Sequence, residues 1–409
     1  MKLNQWTLGL AAVGLVSLGS VAHAEEKLVP LTTALSSTTL SGYVDTSAVW
    51  NPGTGNANPP PFAFNAGKQD GFNLNAVNLT LEKPLDEAQW SAGYRVDVAL
   101  GPDGPLVTGG GPIRQAYVNL RAPVGNGLDF KVGRFDTIIG YESFDGYKNP
   151  NYTRSYGYTI EPTEHTGVLM SYQVSEVFSF SAGIANTLTT LGINDRSPRA
   201  ESHKAYMGSV SITAPESTGF LSGSALYAGI IDGYGNASED QTSLYVGGTL
   251  ATPVAGLKLG ASYDQVHHLR GGAPITVAVD PVTGVGTTGI GEGYASAIAL
   301  YASFKATEKL GLNLRAEYAK GGGLRQLSSR TIPGDALLGT PDTLVAGGPG
   351  KVVALTGTLD YSLWQNVVSR LEVRWDHAAD GSRPFGGTSP GQPDSKNDLM
   401  VAANLIYKF

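Results

Sequence analysis

Apolar residues in this chain return at every second position for about ten residues at a time, stop, and then start again. Between residues 89 and 100, Trp90, Ala92, Tyr94, Val96, Val98 and Leu100 fall on one face, and Ser91, Gly93, Arg95, Asp97 and Ala99 on the other. Leu310, Leu312, Leu314, Ala316 and Tyr318 oppose Gly311, Asn313, Arg315 and Glu317 in the same way. So do Ser369, Leu371, Val373 and Trp375 against Arg370, Glu372, Arg374 and Asp376. Period two is the signature of a β-strand with chemically different faces, because successive side chains leave a strand on opposite sides.

Sixteen such stretches run through the chain, near 40–50, 72–82, 89–100, 113–122, 127–135, 166–174, 177–187, 203–213, 219–231, 242–251, 256–266, 294–305, 310–319, 351–362, 366–377 and 398–409. A soluble sandwich would also alternate, so the spacing has to separate the two cases. Most stretches have the length that a tilted strand needs to cross a bilayer. Their connections alternate between short turns, such as Pro123-Val124-Gly125-Asn126 and Ser175-Glu176, and long Gly- and Pro-rich segments, such as 136–165 and 320–350. An even strand count with short turns at one rim and long loops at the other predicts an all-β, transmembrane antiparallel β-barrel of about 16 strands, with periplasmic turns and extracellular loops. Closure also removes the exposed edges that so many strands would otherwise present.

Composition agrees where it bears on this. Mean hydropathy is -0.07, too polar for a bundle of membrane helices and natural for a barrel whose strands average a lipid face and a water face. There is no cysteine, which excludes disulfides, thiolate metal sites and cysteine nucleophiles. A net charge of -7 argues against a broad surface for nucleic-acid phosphates.

The two ends read as targeting signals. Lys2, an apolar run from Thr7 to Val21, and Ala22-His23-Ala24 form a Sec-type signal peptide over residues 1–24; residues 25–37 read as a periplasmic lead-in, and 38–409 as one barrel domain. The last strand ends in Phe409 with Tyr407, Leu405, Ala403, Val401 and Leu399 at alternate positions. That ending resembles the signature by which outer-membrane proteins engage the barrel-assembly machinery, with Tyr407 and Phe409 as its assembly signal. Trp50, Trp90, Trp364 and Trp375 all fall near predicted membrane interfaces, where an indole body is apolar and its N–H stays wet.

One stretch is more specific. Val132-Gly133-Arg134-Phe135-Asp136-Thr137-Ile138-Ile139-Gly140-Tyr141-Glu142, continuing through Asn149-Pro150-Asn151-Tyr152-Thr153-Arg154-Ser155 to Glu161-Pro162-Thr163-Glu164-His165-Thr166-Gly167, resembles the β-barrel porin-2 (OmpL-like) family. The motif covers about 35 residues. The resemblance implies an outer-membrane porin without catalytic residues or cofactors, surrounded by outer-membrane lipid, passing small hydrophilic solutes, and assembling as a homotrimer. It also implies that residues 136–165 occupy the place of the third external loop, which in general porins folds inward to narrow the channel.

If the aliphatic faces meet lipid, the opposite faces line water, because an Arg or Lys on the lipid face at mid-bilayer costs ~2–4 kcal/mol. The pore-lining candidates are Asp45, Arg95, Asp97, Arg121, Asp129, Lys131, Lys258, Asp264, Arg315, Glu317, Arg370, Glu372, Arg374 and Asp376, seven basic and seven acidic. The constriction-loop candidates are Asp136, Tyr141, Glu142, Asp145, Arg154, Glu161 and Glu164. Acids outnumber bases in that loop, which predicts a weak preference for cations; the same acids would equally serve to hydrate an external loop. Its tyrosines would also suit a sugar-selective track, and the five histidines beyond the signal, at 165, 203, 267, 268 and 377, leave open a barrel-embedded hydrolase. A plugged structural or adhesive barrel is the remaining alternative. Gly284-Val285-Gly286-Thr287-Thr288-Gly289 has dinucleotide-motif spacing but no helix after it, and His267-His268 has no third metal ligand at suitable spacing.

Overall fold

The computed structural model describes residues 37–53, 55–65, 67–86, 90–109, 111–188, 192–235, 240–267, 275–279, 286–289, 294–321 and 350–409. The expected signal peptide and most of loops 268–293 and 322–349 lie outside the described residues.

Alternation is realised as strand almost wherever it occurs. The strands are β1 (Thr39–Trp50), β2 (Gly71–Lys83), β3 (Ser91–Leu100), β4 (Ile113–Ala122), β5 (Leu128–Asp136), β6 (Glu164–Gln173), β7 (Phe178–Ala185), β8 (Ala205–Thr213), β9 (Ala225–Tyr234), β10 (Asp240–Ala251), β11 (Leu257–His267), β12 (Ile275–Val279), β13 (Gly286–Gly289), β14 (Tyr294–Lys305), β15 (Leu310–Lys320), β16 (Lys351–Tyr361), β17 (Val367–Ala378) and β18 (Asn397–Lys408). β12 and β13 pair only with each other, as a small hairpin in a long loop. The other strands form a closed antiparallel barrel in which each pairs with its sequence neighbour. The seam joins β1 to β18 from Tyr43 opposite Lys408 to Trp50 opposite Val401. At its lower end the Gly42 and Phe409 backbones exchange hydrogen bonds of 2.9 and 3.0 Å.

The wall is inside out relative to a soluble protein. Phe72 is 88% exposed and Leu314 62%, while Arg374 and Asp376 are fully buried. Outward apolar side chains recur on every barrel strand, and an apolar surface of this extent belongs against hydrocarbon. Trp364 and Trp90 are exposed at the turn rim, and Trp375 donates its indole N–H to Asn397 at 3.2 Å near the other rim. No described helix is long and apolar enough to cross a membrane; the crossing is made by strands.

Strand boundaries follow the sequence reading to within two residues at most ends. The clearest departure is β9, which starts at Ala225 rather than near 219. Residues Glu216–Leu221 form a 3-10 turn, and Gly219 and Gly223 take φ of 63° and 78°, which breaks the extended chain there. A second departure is a register shift between Asp97 and Val98 opposite β4, which turns both Arg114 and Gln115 inward.

Candidate functional site

A sixteen-strand barrel is too wide for wall side chains to fill. Here the described loops fill part of it. The described residues of 51–70 and residues 137–163 fold into the lumen; the longer loop carries a short helix α2 (Tyr156–Ile160), and another, α1 (Gly104–Thr108), lies in the loop between β3 and β4. Three clusters of apolar side chains form between these loops and the inner wall. In one of them Ile138 and Ile139 pack on Leu169, Met207 and Ile231. In another, Phe62 and Tyr156 lie against the alanine-rich inner face of β14 and β16.

Polar anchors fix the longer loop. Inward positions on β15 and β17 follow the alternation, so Arg315, Glu317, Arg370, Glu372, Arg374 and Asp376 stand side by side on the inner wall. Arg315 donates to Glu142 Oε1 at 2.8 Å, Glu317 Oε2 at 2.9 Å, the Thr153 carbonyl at 2.7 Å and Thr153 Oγ1 at 2.9 Å. Glu372 accepts from the Tyr152 and Thr153 backbone N–H groups at 2.6 and 2.9 Å, and from the Thr153 and Thr358 hydroxyls, each at 2.6 Å. Arg370 donates to the Gly146 and Asn149 carbonyls at 2.9 and 2.6 Å. Arg374 holds the Arg154 carbonyl at 2.7 Å and Asp376 at 2.9 Å, with its guanidinium 3.7 Å from the Phe62 ring centroid. Asp376 and Glu317 receive the Tyr156 hydroxyl and backbone N–H at 2.8 and 2.7 Å. Each buried charge is thereby paired or multiply hydrogen-bonded, as burial requires.

The remaining loop candidates are also engaged. Asp136 binds Arg114 at 2.6 Å, and Asp145 binds Lys148 at 2.8 Å, Tyr43 at 3.1 Å and Arg114 at 3.5 Å. Burial alone would push the Asp145 carboxyl up, but Lys148 and Arg114 beside it hold it well below the usual carboxylate range. Glu164 lies 3.9 Å from Arg134. Glu161 has no cationic partner among the described residues: its side chain hydrogen-bonds Asp264, and burial, then the Asp264 carboxylate, push its pKa well above the ordinary value. Tyr141 stacks on Tyr301 with centroids 4.1 Å apart. Arg154 gives its guanidinium to the Phe144 and Tyr152 carbonyls at 2.7 and 3.0 Å and lies over Phe64 and Tyr158.

The other wall candidates separate from this clasp. Asp45 is held by Asn75 and Asn404 at 2.8 and 2.7 Å; Asp97 takes Arg95, Arg114 and Gln115; Arg121 and Asp129 form a bidentate pair at 2.6 and 2.7 Å. Lys131 lies 5.0 Å above the Tyr117 ring. Neither Lys131 nor Lys258 makes an ion pair among the described residues. Sequence reasoning missed Arg114, which the bulge takes out of phase, and Phe62 and Phe64, which follow a run of prolines without periodicity. Of the histidines, His165 packs on Phe135, His203 stacks on Tyr234 and bonds Ser197 Oγ at 2.9 Å, and His377 bonds Asn397 at 2.8 Å. His267 bonds Gln265, while His268 is outside the described residues; no metal-ligating group of three occurs among those that are described.

A family model described as "Putative beta-barrel porin-2, OmpL-like" matches residues 37–409, the entire barrel. The chain belongs to the β-barrel porin-2 family. Solved structures agree on the fold of this porin. The outer membrane channel DcaP of Acinetobacter baumannii superposes with a TM-score of 0.55 at 13% identity, over 91% of this chain and 97% of that one. OprB of Pseudomonas putida does so with a TM-score of 0.55 at 11% identity, over 91% and 94%. A trimer form of OmpT, an outer membrane protein of Vibrio cholerae, matches with a TM-score of 0.52 at 11% identity, over 91% and 99%. A comparison with curated proteins finds no match. The protein is an outer-membrane porin, a channel through a closed barrel surrounded by lipid.

Proposed function

We propose that the porin passes small hydrophilic solutes by passive diffusion through the part of its lumen that the folded-in loops leave open, and that loop 137–163 is its constriction. One observation carries this reading: the loop is bonded to the inner wall by Arg315, Arg370, Glu372 and Arg374 through its own backbone, so it is built into the barrel rather than lying over its mouth. Most of its residues are buried; Tyr141, Ser143, Tyr147, Lys148 and Pro150 are among those left half-exposed. Selectivity at such a passage comes from its width and from the groups that line it.

The wall candidates divide into two roles in this reading. Asp264, Arg315, Glu317, Arg370, Glu372, Arg374 and Asp376 anchor the loop, Arg95, Arg121, Lys131 and Lys258 line the passage, and Asp45, Asp97 and Asp129 hold neighbouring wall side chains in place. Residues 1–24 direct export, Tyr407 and Phe409 present the final strand to the assembly machinery, and three copies associate in the membrane. The Ser197–His203 contact at the outer rim is structural, so the protein has no hydrolytic activity. Planar-bilayer recording of the purified full chain tests the channel: stepwise conductance increments support it, and a protein that inserts without conducting refutes it. Hydrolysis of a lipid or peptide substrate, lost in Ser197→Ala, would refute the non-enzymatic reading.

A further inference from the structure

The sequence alone predicts a weak cation preference, from the acids of the constriction loop. Asp136, Glu142, Asp145 and Glu164 each have an arginine or lysine partner, and Glu161 is turned onto Asp264. The charge that remains towards the lumen has the opposite sign. On the inward faces of the strands and on the loop, the half-exposed basic side chains are Arg95, Arg121, Lys131, Lys148, Lys258 and Lys408. The half-exposed acids are Glu82, Asp136 and Asp360, and each is tied to an arginine: Arg95, Arg114 and Arg370.

The arrangement around the ring sharpens this. The inward faces of β6 to β10 carry no Asp, Glu, Lys or Arg; their lower halves present Ser171, Ser179, Ser181, Ser209 and Ser211, with Ser171 bonded to Ser181 and Ser179 to Ser211. The anchors of the loop lie on the opposite arc, on β15 to β17. The uncharged serine arc is therefore bounded by Lys131 on β5 and Lys258 on β11, inward lysines that make no ion pair among the described residues. Both sit in the half of the barrel near the short turns, as do Arg121 and Lys408. Tyr117 lies beneath Lys131, and Tyr147 beneath both Lys148 and Lys408 at 5.6 and 5.3 Å, giving planar apolar surface beside each charge.

We propose that this porin is anion-selective, with Lys131 and Lys258 setting the field along a serine-lined passage, and that small carboxylates are its preferred organic solutes. The inference rests on the channel reading. A carboxylate moving along the serine arc meets the half-exposed Ser209 hydroxyl, a wall of small uncharged residues in which Ser171, Ser179, Ser181 and Ser211 are buried, and two flanking ammonium groups, with no acid on the inward faces of β6 to β10. A field of about one kT, at the low end of what clustered like charges produce in a cleft, favours a univalent anion over a univalent cation by roughly sevenfold. The lysines are separate point charges rather than a bidentate site, so the solute is attracted without being trapped, as conduction requires.

The test is the reversal potential of the full-length porin in planar bilayers under a KCl gradient, with sodium acetate as the organic-anion probe. Wild type should be chloride-selective at low salt, with the ratio falling as salt rises and screening shortens. Lys131→Gln with Lys258→Gln should lower the chloride-to-potassium ratio several-fold while conductance persists. Ser209→Asp, which leaves both lysines and the loop anchors intact, should lower it too. Cation preference in the wild type, or an unchanged ratio in both variants, overturns the proposal while leaving the channel in place. Absence of conductance overturns the channel reading as well.

Discussion

Replacing Arg315 by Met removes one guanidinium from the centre of the clasp and keeps the volume of its stem. Four hydrogen bonds to the loop go with it: to Glu142, to the Thr153 carbonyl and hydroxyl, and to the Arg154 carbonyl at 3.2 Å. Glu142 keeps the Ser155 N–H and the Tyr301 hydroxyl, and Glu317 keeps the Tyr156 N–H and a distant Arg374 at 3.7 Å, but both carboxylates lose their close cation. Breaking a buried pair by deleting one partner costs about 3–5 kcal/mol, because the other charge stays buried. The wall strand keeps its backbone ladder to β14 and β16, so most of this cost falls on the docking of the loop. At 1.4 kcal/mol per decade, the undocked population rises by roughly a hundredfold to a few thousandfold. Single-channel recording of R315M should show a second, larger conductance level and excess open-channel noise. Arg121→Met, which breaks a pair with Asp129 away from the loop, should show neither. A folded R315M with wild-type conductance and noise would refute the claim that these bonds hold a constriction.

Other expectations follow from the same geometry. Glu372→Ala strips acceptors from two backbone N–H groups and should undock the loop by about 2–5 kcal/mol, more than Glu372→Gln, which keeps one acceptor oxygen; loop-specific protease protection reads the order. The docked loop holds the Glu161 proton that an undocked Glu with pKa near 4.3 releases, so docking weakens as pH rises above about 4.3, and Glu161→Gln should flatten the dependence of melting temperature on pH. Leu314→Arg, on the lipid face, should cost ~2–4 kcal/mol of barrel stability in folding titrations, whereas Ser209→Arg, facing the lumen, should cost far less. A Cβ at Gly42 would collide with the Asn78 carbonyl oxygen and lie 2.8 Å from the Phe409 ring, so Gly42→Val should lower the heat-modifiable folded fraction on gels.

The barrel was legible because its determinant is one-dimensional. Period two is a property of neighbouring residues along the chain, and each of Arg315, Glu317, Arg370, Glu372, Arg374 and Asp376 can be assigned to the inner face from its immediate neighbours alone. What those side chains do inside is a property of residues more than 150 positions away: Arg315 meets Thr153 across a sequence separation of 162, and Glu372 meets Tyr152 across 220. No periodicity links such pairs, and the loop that brings them together has none of its own. Composition is silent at the same point. The loop's acidic excess suggested a field attractive to cations, but a carboxylate contributes a field only to the extent that no partner cancels it. Arg114, Arg134 and Arg315 from the wall and Lys148 of the loop pair Asp136, Glu164, Glu142 and Asp145, so in the proposed anion-selective channel the sign of the passage is set by the charges left over, Lys131 and Lys258. In a lumen partly filled by its own loops, the proposed selectivity depends on which charges the fold leaves unpaired, and neutralising the paired acids should move the reversal potential less than neutralising those two lysines.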